Sequence, residues 1–294
     1  MKNILVVTGG AGFIGSNLIF ELLKFKKFKI LSVDNYSSGL SKNHIKNKRV
    51  KYLKGNTKNI EILLKSYVDK IHSVFHFGEF ARIYQSFTKI NECFSSNIEG
   101  SLNVFNFALQ NKIKLNYSAT SASLGNNGKD MNLSPYAFSK SKNLDLLENL
   151  KRWFNFRYEV IYFYNVYGEK QVCKGDMATV VGIFEDHFKK KKKLPVVKPG
   201  TQVRRFTHVD DTVKACILAW KKNKCKHYSI ASKQSYSIIE LAKLFRSKIR
   251  YLPKRAGERY ASALTKMNLN NKIITLSAKI RLKDYVNNFL INNR

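Results

Sequence analysis

The sequence predicts an α/β protein built on a doubly wound parallel sheet, followed by a smaller C-terminal α/β lobe. Short β-rich apolar runs alternate with stretches of helical apolar spacing from Lys2 to Tyr164. The first run stops at a glycine cluster that leads directly into a helix. At 294 residues the chain is long enough to bury a sizeable core, in one large domain or two unequal ones.

Lys2 to Thr8 (KNILVVT) reads as the first strand and Phe13 to Leu23 as the first helix. Further strands are expected at Ile30 to Val33, Val50 to Leu53, Val74 to Phe77, Leu115 to Ser118 and Val160 to Tyr164. Helical spacing covers Ile60 to Ser66, Asn97 to Leu109 and Tyr136 to Asn149. Strands alternating with helices argue for a parallel sheet covered on both faces. Past Gly168 the alternation weakens, leaving helices at Thr179 to Lys190, Val213 to Lys221 and Ile238 to Arg246. Residues 1–167 are therefore expected to form a dinucleotide-binding domain and residues 168–294 mainly a lobe that closes over a substrate, with no linker between them.

Composition excludes several classes. No stretch approaches the roughly 18 apolar residues of a membrane span, and the amino-terminal residues lack a cationic leader with a cleavage site, so a cytoplasmic protein is expected. Cys93, Cys173, Cys216 and Cys225 form no C-x-x-C pair, which suggests reduced thiols and no metal site. The net charge of +33 would suit a polyanion partner. Its 41 Lys against 12 Arg are spread along the chain, however, so neither nucleic acid nor membrane is expected as a partner. The one dense run, Lys189 to Lys193, falls where a helix should end and is favoured there by the helix dipole.

The loop Thr8-Gly9-Gly10-Ala11-Gly12-Phe13-Ile14-Gly15 sits between strand and helix. Glycines allow the tight turn and bring backbone amides up to a pyrophosphate. Asp34 ends the second strand about 20 residues later, where a carboxylate binds ribose hydroxyls and repels a 2′-phosphate, so NAD is expected rather than NADP. Asn35 follows it, and Asn56 and Thr57 after the third strand are candidate adenine contacts. Tyr136 and Lys140 lie four apart on a helix opened by Pro135, so the ammonium is expected near the phenol. Positive charge there favours phenolate, the form able to accept a proton at neutral pH. Thr120 adds a hydroxyl at the carboxyl edge of the sheet.

The ordered series TGGAGFIGS, VDNYSSG, VFHFGE, SNIEGSLN, YSATSASLG, SPYAFSK, YNVYG, RRFTHVDD and KRAGE resembles the extended short-chain dehydrogenase/reductases, specifically the nucleotide-sugar epimerases and dehydratases with their Rossmann-type NAD domain. Within that family it is similar in motif to UDP-glucose 4-epimerases. The resemblance implies that Thr120, Tyr136 and Lys140 are catalytic, and that Phe77, Gly78 and Asn97 belong to the NAD site. It also implies that Asn165, Arg204, Arg255 and Glu258 hold a nucleotide-sugar diphosphate and nucleoside, and that the protein is a homodimer.

The family's 4,6-dehydratases place an Asp-Glu pair after the catalytic Thr, whereas Ser121 and Ala122 stand here, and the decarboxylases' Glu is absent from that segment too. This leaves an NAD-dependent epimerase, with a UDP-hexose reacting at C4 as the favoured case. An ADP-heptose 6-epimerase is the competitor, because Lys174 resembles the second base of that group and Glu258-Arg259-Tyr260-Ala261 echoes its sequence. A nucleotide-sugar dehydrogenase or reductase and a noncatalytic NAD-sensing regulator are the further alternatives. Three departures border the sugar pocket: only 15 residues separate Thr120 from Tyr136, Leu124 replaces a tyrosine, and Arg205 replaces an acid. They point to an unusual sugar, such as one made for a surface polysaccharide.

Overall fold

The computed structural model describes residues 2–257 and 273–293, with backbone alone over 124–129. Eight strands form the central sheet: β1 (Ile4–Thr8), β2 (Lys29–Asp34), β3 (Val50–Lys54), β4 (Ile71–His76), β5 (Lys114–Thr120), β6 (Tyr158–Phe163), β7 (His227–Ala231) and β8 (Ile273–Ser277). They lie in the order β3-β2-β1-β4-β5-β6-β7-β8, and every neighbouring pair is parallel. All seven residues of β5 are buried, as expected of a strand covered on both faces.

Helices α1 (Phe13–Leu22), α2 (Ser101–Gln110), α3 (Pro135–Phe154), α4 (Val180–Lys189), α5 (Val209–Lys222), α6 (Ile238–Leu244) and α7 (Leu282–Ile291) supply the covering layers. On one face Leu18, Leu22, Val213 and Trp220 of α1 and α5 pack on Leu5, Val7, Phe75 and Ile161. On the other, Val104, Phe105 and Leu147 of α2 and α3 pack on Val6, Val74 and Leu115. A further core joins Val181 and Phe184 of α4 to Leu241, Leu282 and Val286 beneath the short strand pair Leu194–Val197 and Ile249–Leu252. This is the expected doubly wound fold with a smaller lobe.

The boundary at residue 167 does not divide the sheet, because β7 and β8 both come from beyond it and α5 packs against α1. The run HYSIA, with one polar residue among its middle positions, gave too weak an apolar signal to be read as a sheet strand. Other differences concern extent. The second helical stretch is only Ile60–Leu64, and residues 95–100 form a π-helical turn before α2 begins. The lysine run does close α4, with Lys189 to Lys193 all exposed.

Strand order reverses between β1 and β4, which leaves a crevice at the carboxyl ends of the strands. That crevice positions the site.

Candidate active site at the carboxyl edge of the sheet

A cavity of about 700 Å³ runs along this edge, from the turn after β1 to the C-terminal lobe. Gly9, Gly12, Phe13, Ile14 and Gly15 line one end. Two of these positions accept no side chain. Gly9 has φ +70° and a Cβ there would lie 2.8 Å from the Phe77 carbonyl carbon, while a Cβ on Gly15 would meet the Gly9 oxygen at 2.2 Å. The turn thus packs the start of α1 close against β1 and leaves a cradle shaped for a pyrophosphate at a helix N-terminus.

Asp34 is buried on the wall beside this turn. Its Oδ2 accepts the Ala11 amide at 2.9 Å and its Oδ1 the Tyr36 amide at 2.8 Å. Each carboxylate oxygen keeps a second lone pair for a ribose hydroxyl. Asn35, Gly55 and Thr57 continue the wall. Asn56 lies off it, because its Oδ1 caps the next turn by accepting the Lys58 amide at 3.0 Å. The set fits NAD: a glycine cradle and, in Asp34, a carboxylate that suits ribose hydroxyls and would repel a 2′-phosphate.

Phe77 and Gly78 also line the cavity, and their amides both donate to Thr8 Oγ1, at 3.1 and 3.0 Å. Asn97 stands behind them, fully buried. Its Oδ1 accepts the Phe80 amide at 2.6 Å and its Nδ2 donates to the Phe80 carbonyl and Ser139 Oγ, so it braces the loop without reaching the wall. At the end of β4, His76 bridges Thr8 Oγ1 and Ser101 Oγ, and burial lowers its pKa to about 4.

Thr120, Tyr136 and Lys140 share the middle of the cavity. Ser134 caps α3 by accepting the Ala137 amide at 3.1 Å, and Pro135 occupies the first turn, as the sequence predicts. The Tyr136 amide donates to Ser86 Oγ at 3.2 Å, which ties α3 to the short helix Gln85–Thr88 that follows β4. Lys140 is buried, and its Nζ is held by Glu79 Oε2 and the Ser118 carbonyl, with the Tyr117 ring 4.5 Å away. Burial lowers its pKa, an effect the Glu79 charge opposes. Glu79 in turn accepts Ser101 Oγ at 2.9 Å, Tyr117 Oη at 3.0 Å and Asn143 Nδ2 at 3.2 Å.

At the far end Asn165, Arg204 and Arg255 line the cavity. Asn165 takes φ +30° and donates to the Arg205 carbonyl at 3.1 Å. Arg204 is buried in the strand pair Val203–Arg204 and Tyr236–Ser237, and the Arg255 guanidinium sits 5.2 Å over the Tyr84 ring. Lys174 is not brought here. Its side chain is 70% exposed and faces Asp186 at 3.5 Å, outside the cavity wall. Glu258 and the Arg259, Tyr260 and Ala261 that follow it lie outside the described residues, as does the side chain of Leu124.

Sequence reasoning passed over Glu79 and Arg82, both on the wall. Glu79 was legible as an acid set directly after a strand-end glycine in an otherwise apolar run. Arg82 was legible as an arginine in a chain that elsewhere prefers lysine. Its Nη1 donates to the Ala81 carbonyl at 2.7 Å and its Nη2 to the Met177 carbonyl, while its buried Nε has no partner among the described residues. Glu169, His208 and Asp210 also cluster, but His208 Nδ1 is engaged by the Asp210 amide at 3.2 Å.

Parallel topology, a glycine turn at the switch point and a tyrosine and lysine one helical turn apart define a dinucleotide-dependent enzyme scaffold of the short-chain dehydrogenase/reductase type. Residues 5–231 match the NAD dependent epimerase/dehydratase family, and the chain belongs to it. It is similar to a UDP-glucose 4-epimerase of Thermotoga maritima solved with UDP-glucose, at 26% identity and TM-score 0.85 over 98% of this chain and 97% of that one. It is 29% identical to an ADP-L-glycero-D-manno-heptose-6-epimerase of Brachyspira hyodysenteriae, over 82% of this chain and 79% of the relative. A UDP-N-acetyl-alpha-D-glucosaminuronate decarboxylase of Bacillus cytotoxicus is 30% identical over the same shares.

Proposed function

We propose that the protein is an NAD-dependent epimerase of a nucleotide-activated sugar, with a UDP-hexose reacting at C4 as the favoured substrate. One observation carries the reading: a single cavity joins the glycine cradle, the Thr120, Tyr136 and Lys140 centre and the two arginines Arg204 and Arg255. When bound, NAD would supply the redox chemistry, taking a hydride from the sugar carbon and giving it back. Tyr136 Oη removes the proton of the sugar hydroxyl and later returns it. Thr120 Oγ1 would orient that hydroxyl, and Arg204 and Arg255 would hold the diphosphate at the far end of the cavity. The burial of Tyr136, Lys140 and Thr120 keeps water from this exchange.

Ser121 and Ala122 after Thr120 favour this minimal chemistry over elimination, which needs an added acid and base. Lys174 is turned to Asp186 outside the cavity wall, which weighs against its service as a second base of a heptose 6-epimerase. Among the described residues no helix is long and apolar enough to cross a membrane. With four free cysteines, that supports a cytoplasmic enzyme that feeds carbohydrate or surface-polysaccharide synthesis. The exposed Leu102 on α2 and Phe138 on α3 support a homodimer paired through these helices.

The test is a panel of UDP-, GDP-, ADP- and dTDP-sugars incubated with the purified protein and read by NMR. Two UDP-hexoses are expected to interconvert without added cofactor, and Tyr136→Phe to abolish this. Intact activity in that variant would overturn the assignment of the base.

A further inference from the structure

The cations that look scattered in the sequence are gathered by the fold at one edge. Every strand of the central sheet runs the same way, so the chain returns to the amino edge before each of them. The segments that lead into β2 to β7, residues 23–29, 46–49, 65–70, 111–113, 151–157 and 221–226, each carry lysine or arginine. Asp69 is the single acid among them. Their cations are exposed apart from Arg49, which donates to the carbonyls of Leu23, Phe25 and Phe28 and so fastens two of the segments together. Arg157 donates to Asn223 Oδ1 at 3.1 Å and Lys151 to the Cys225 carbonyl at 3.3 Å, which joins two more. With strands about 4.8 Å apart, the amino ends from β3 to β7 spread this charge over roughly 30 Å. The opposite edge is mixed, because Asp34, Glu79 and Asp176 share the cavity wall with its cations.

Two aromatic side chains stand out from the same cationic edge. Helix α3 runs back from the cavity and ends there, where Trp153 and Phe154 are 61% and 60% exposed with ring centroids 6.2 Å apart. Such a pair is costly in bulk water and suits the boundary between lipid headgroups and acyl chains. Next to it a recess of about 480 Å³ opens between the end of α3 and the segment before β7. Lys151, Arg152, Lys226, His227 and Glu148 line it, a predominantly cationic set that suits a phosphate headgroup.

We propose that the amino edge of the sheet docks on a bilayer surface that carries anionic phospholipids. The lysines attract the headgroup layer, and Trp153 and Phe154 enter its boundary. Lysine outnumbers arginine in these segments, which favours a membrane over nucleic acid, where the planar fork of arginine is the better reader of phosphates and bases. Docking in this pose turns the carboxyl edge toward water, so ligands enter the cavity from solution. None of the docking residues lines that cavity, so membrane binding and sugar turnover can fail independently.

The test is co-flotation of the full chain with vesicles of phosphatidylcholine alone and of an equal mixture with phosphatidylglycerol. Binding is expected to the mixed vesicles only, and should weaken as salt rises. The emission of Trp153 should move to shorter wavelength on binding, a change that Trp153→Phe abolishes because Trp220 is buried. Lys224→Glu/Lys226→Glu should weaken binding by about tenfold or more. Lys192→Glu/Lys193→Glu changes the net charge equally within the densest lysine run of the sequence, and should weaken it by less than about twofold. Trp153→Ala/Phe154→Ala should cost about fivefold and leave the salt dependence in place. All these side chains are exposed, and unchanged thermal unfolding verifies that the variants stay folded. Equal losses in the two lysine pairs would make the attraction diffuse and overturn the proposal. So would an unshifted Trp153 emission, or tighter binding to duplex DNA than to the mixed vesicles at the same salt.

Discussion

Two buried ammonium–carboxylate pairs join this sheet at opposite edges, and they differ in what surrounds them. Lys114, at the start of β5, meets Glu159 at 3.0 Å and donates to the Trp220 carbonyl, while Glu159 also accepts the Cys225 and Lys226 amides. Every group there is engaged by backbone of α5 and the turn before β7. Lys140 and Glu79 sit at the carboxyl edge, and one side of that pair faces the cavity. Chemically the pairs are alike. Position at the sheet edge decides that one fastens strands together and the other borders a reacting centre.

The difference can be broken or sharpened experimentally. The largest effect belongs to the cavity: Tyr136→Phe should lower kcat by about 10³-fold or more with little change in stability, measured by NMR turnover and denaturant unfolding together. Lys114→Met should do the reverse, costing about 3–5 kcal/mol of unfolding free energy by stranding Glu159, while kcat per folded molecule stays unchanged. A loss of turnover equal to that of the cavity variant would erase the distinction between the two edges.

His76 gives a smaller, pH-dependent effect. Its folded pKa of about 4 lies below the ordinary 6.5, so the unfolded chain binds the extra proton between those values. Its contribution is complete above pH 6.5 and falls by roughly 3 kcal/mol as pH drops toward 4. Urea unfolding of wild type and His76→Gln across that window should show the slope in the former and its reduction in the latter. The smallest effect is expected at Lys174, where Lys174→Ala should change kcat/KM by less than about twofold because the side chain is turned to Asp186.

The cofactor end of the cavity was legible in the sequence because backbone geometry builds it. Glycines at 9, 12 and 15 and a strand-ending Asp34 announce themselves by position, and the structure sets them on one wall. Asn56 and Asn97 share that neighbourhood but turn their amide groups to a cap and to a loop, a choice between backbone partners that spacing does not reveal. The sugar end depends on side chains converging from separate elements. Arg82 meets the Met177 carbonyl across 95 positions of chain, and Glu79 gathers donors from three elements, contacts that no local pattern encodes. Likewise β7 and β8 rejoin the sheet only through long-range pairing, so the chain read as two consecutive domains where it is interleaved.

The most direct measurement follows the label of UDP-glucose deuterated at C4 through the purified protein. If one cavity oxidises and reduces the same sugar carbon without releasing its cofactor, the product epimer keeps the deuterium at C4 and no NADH absorbance accumulates. Deuterium lost to water, or NADH formed in step with product, would contradict the account.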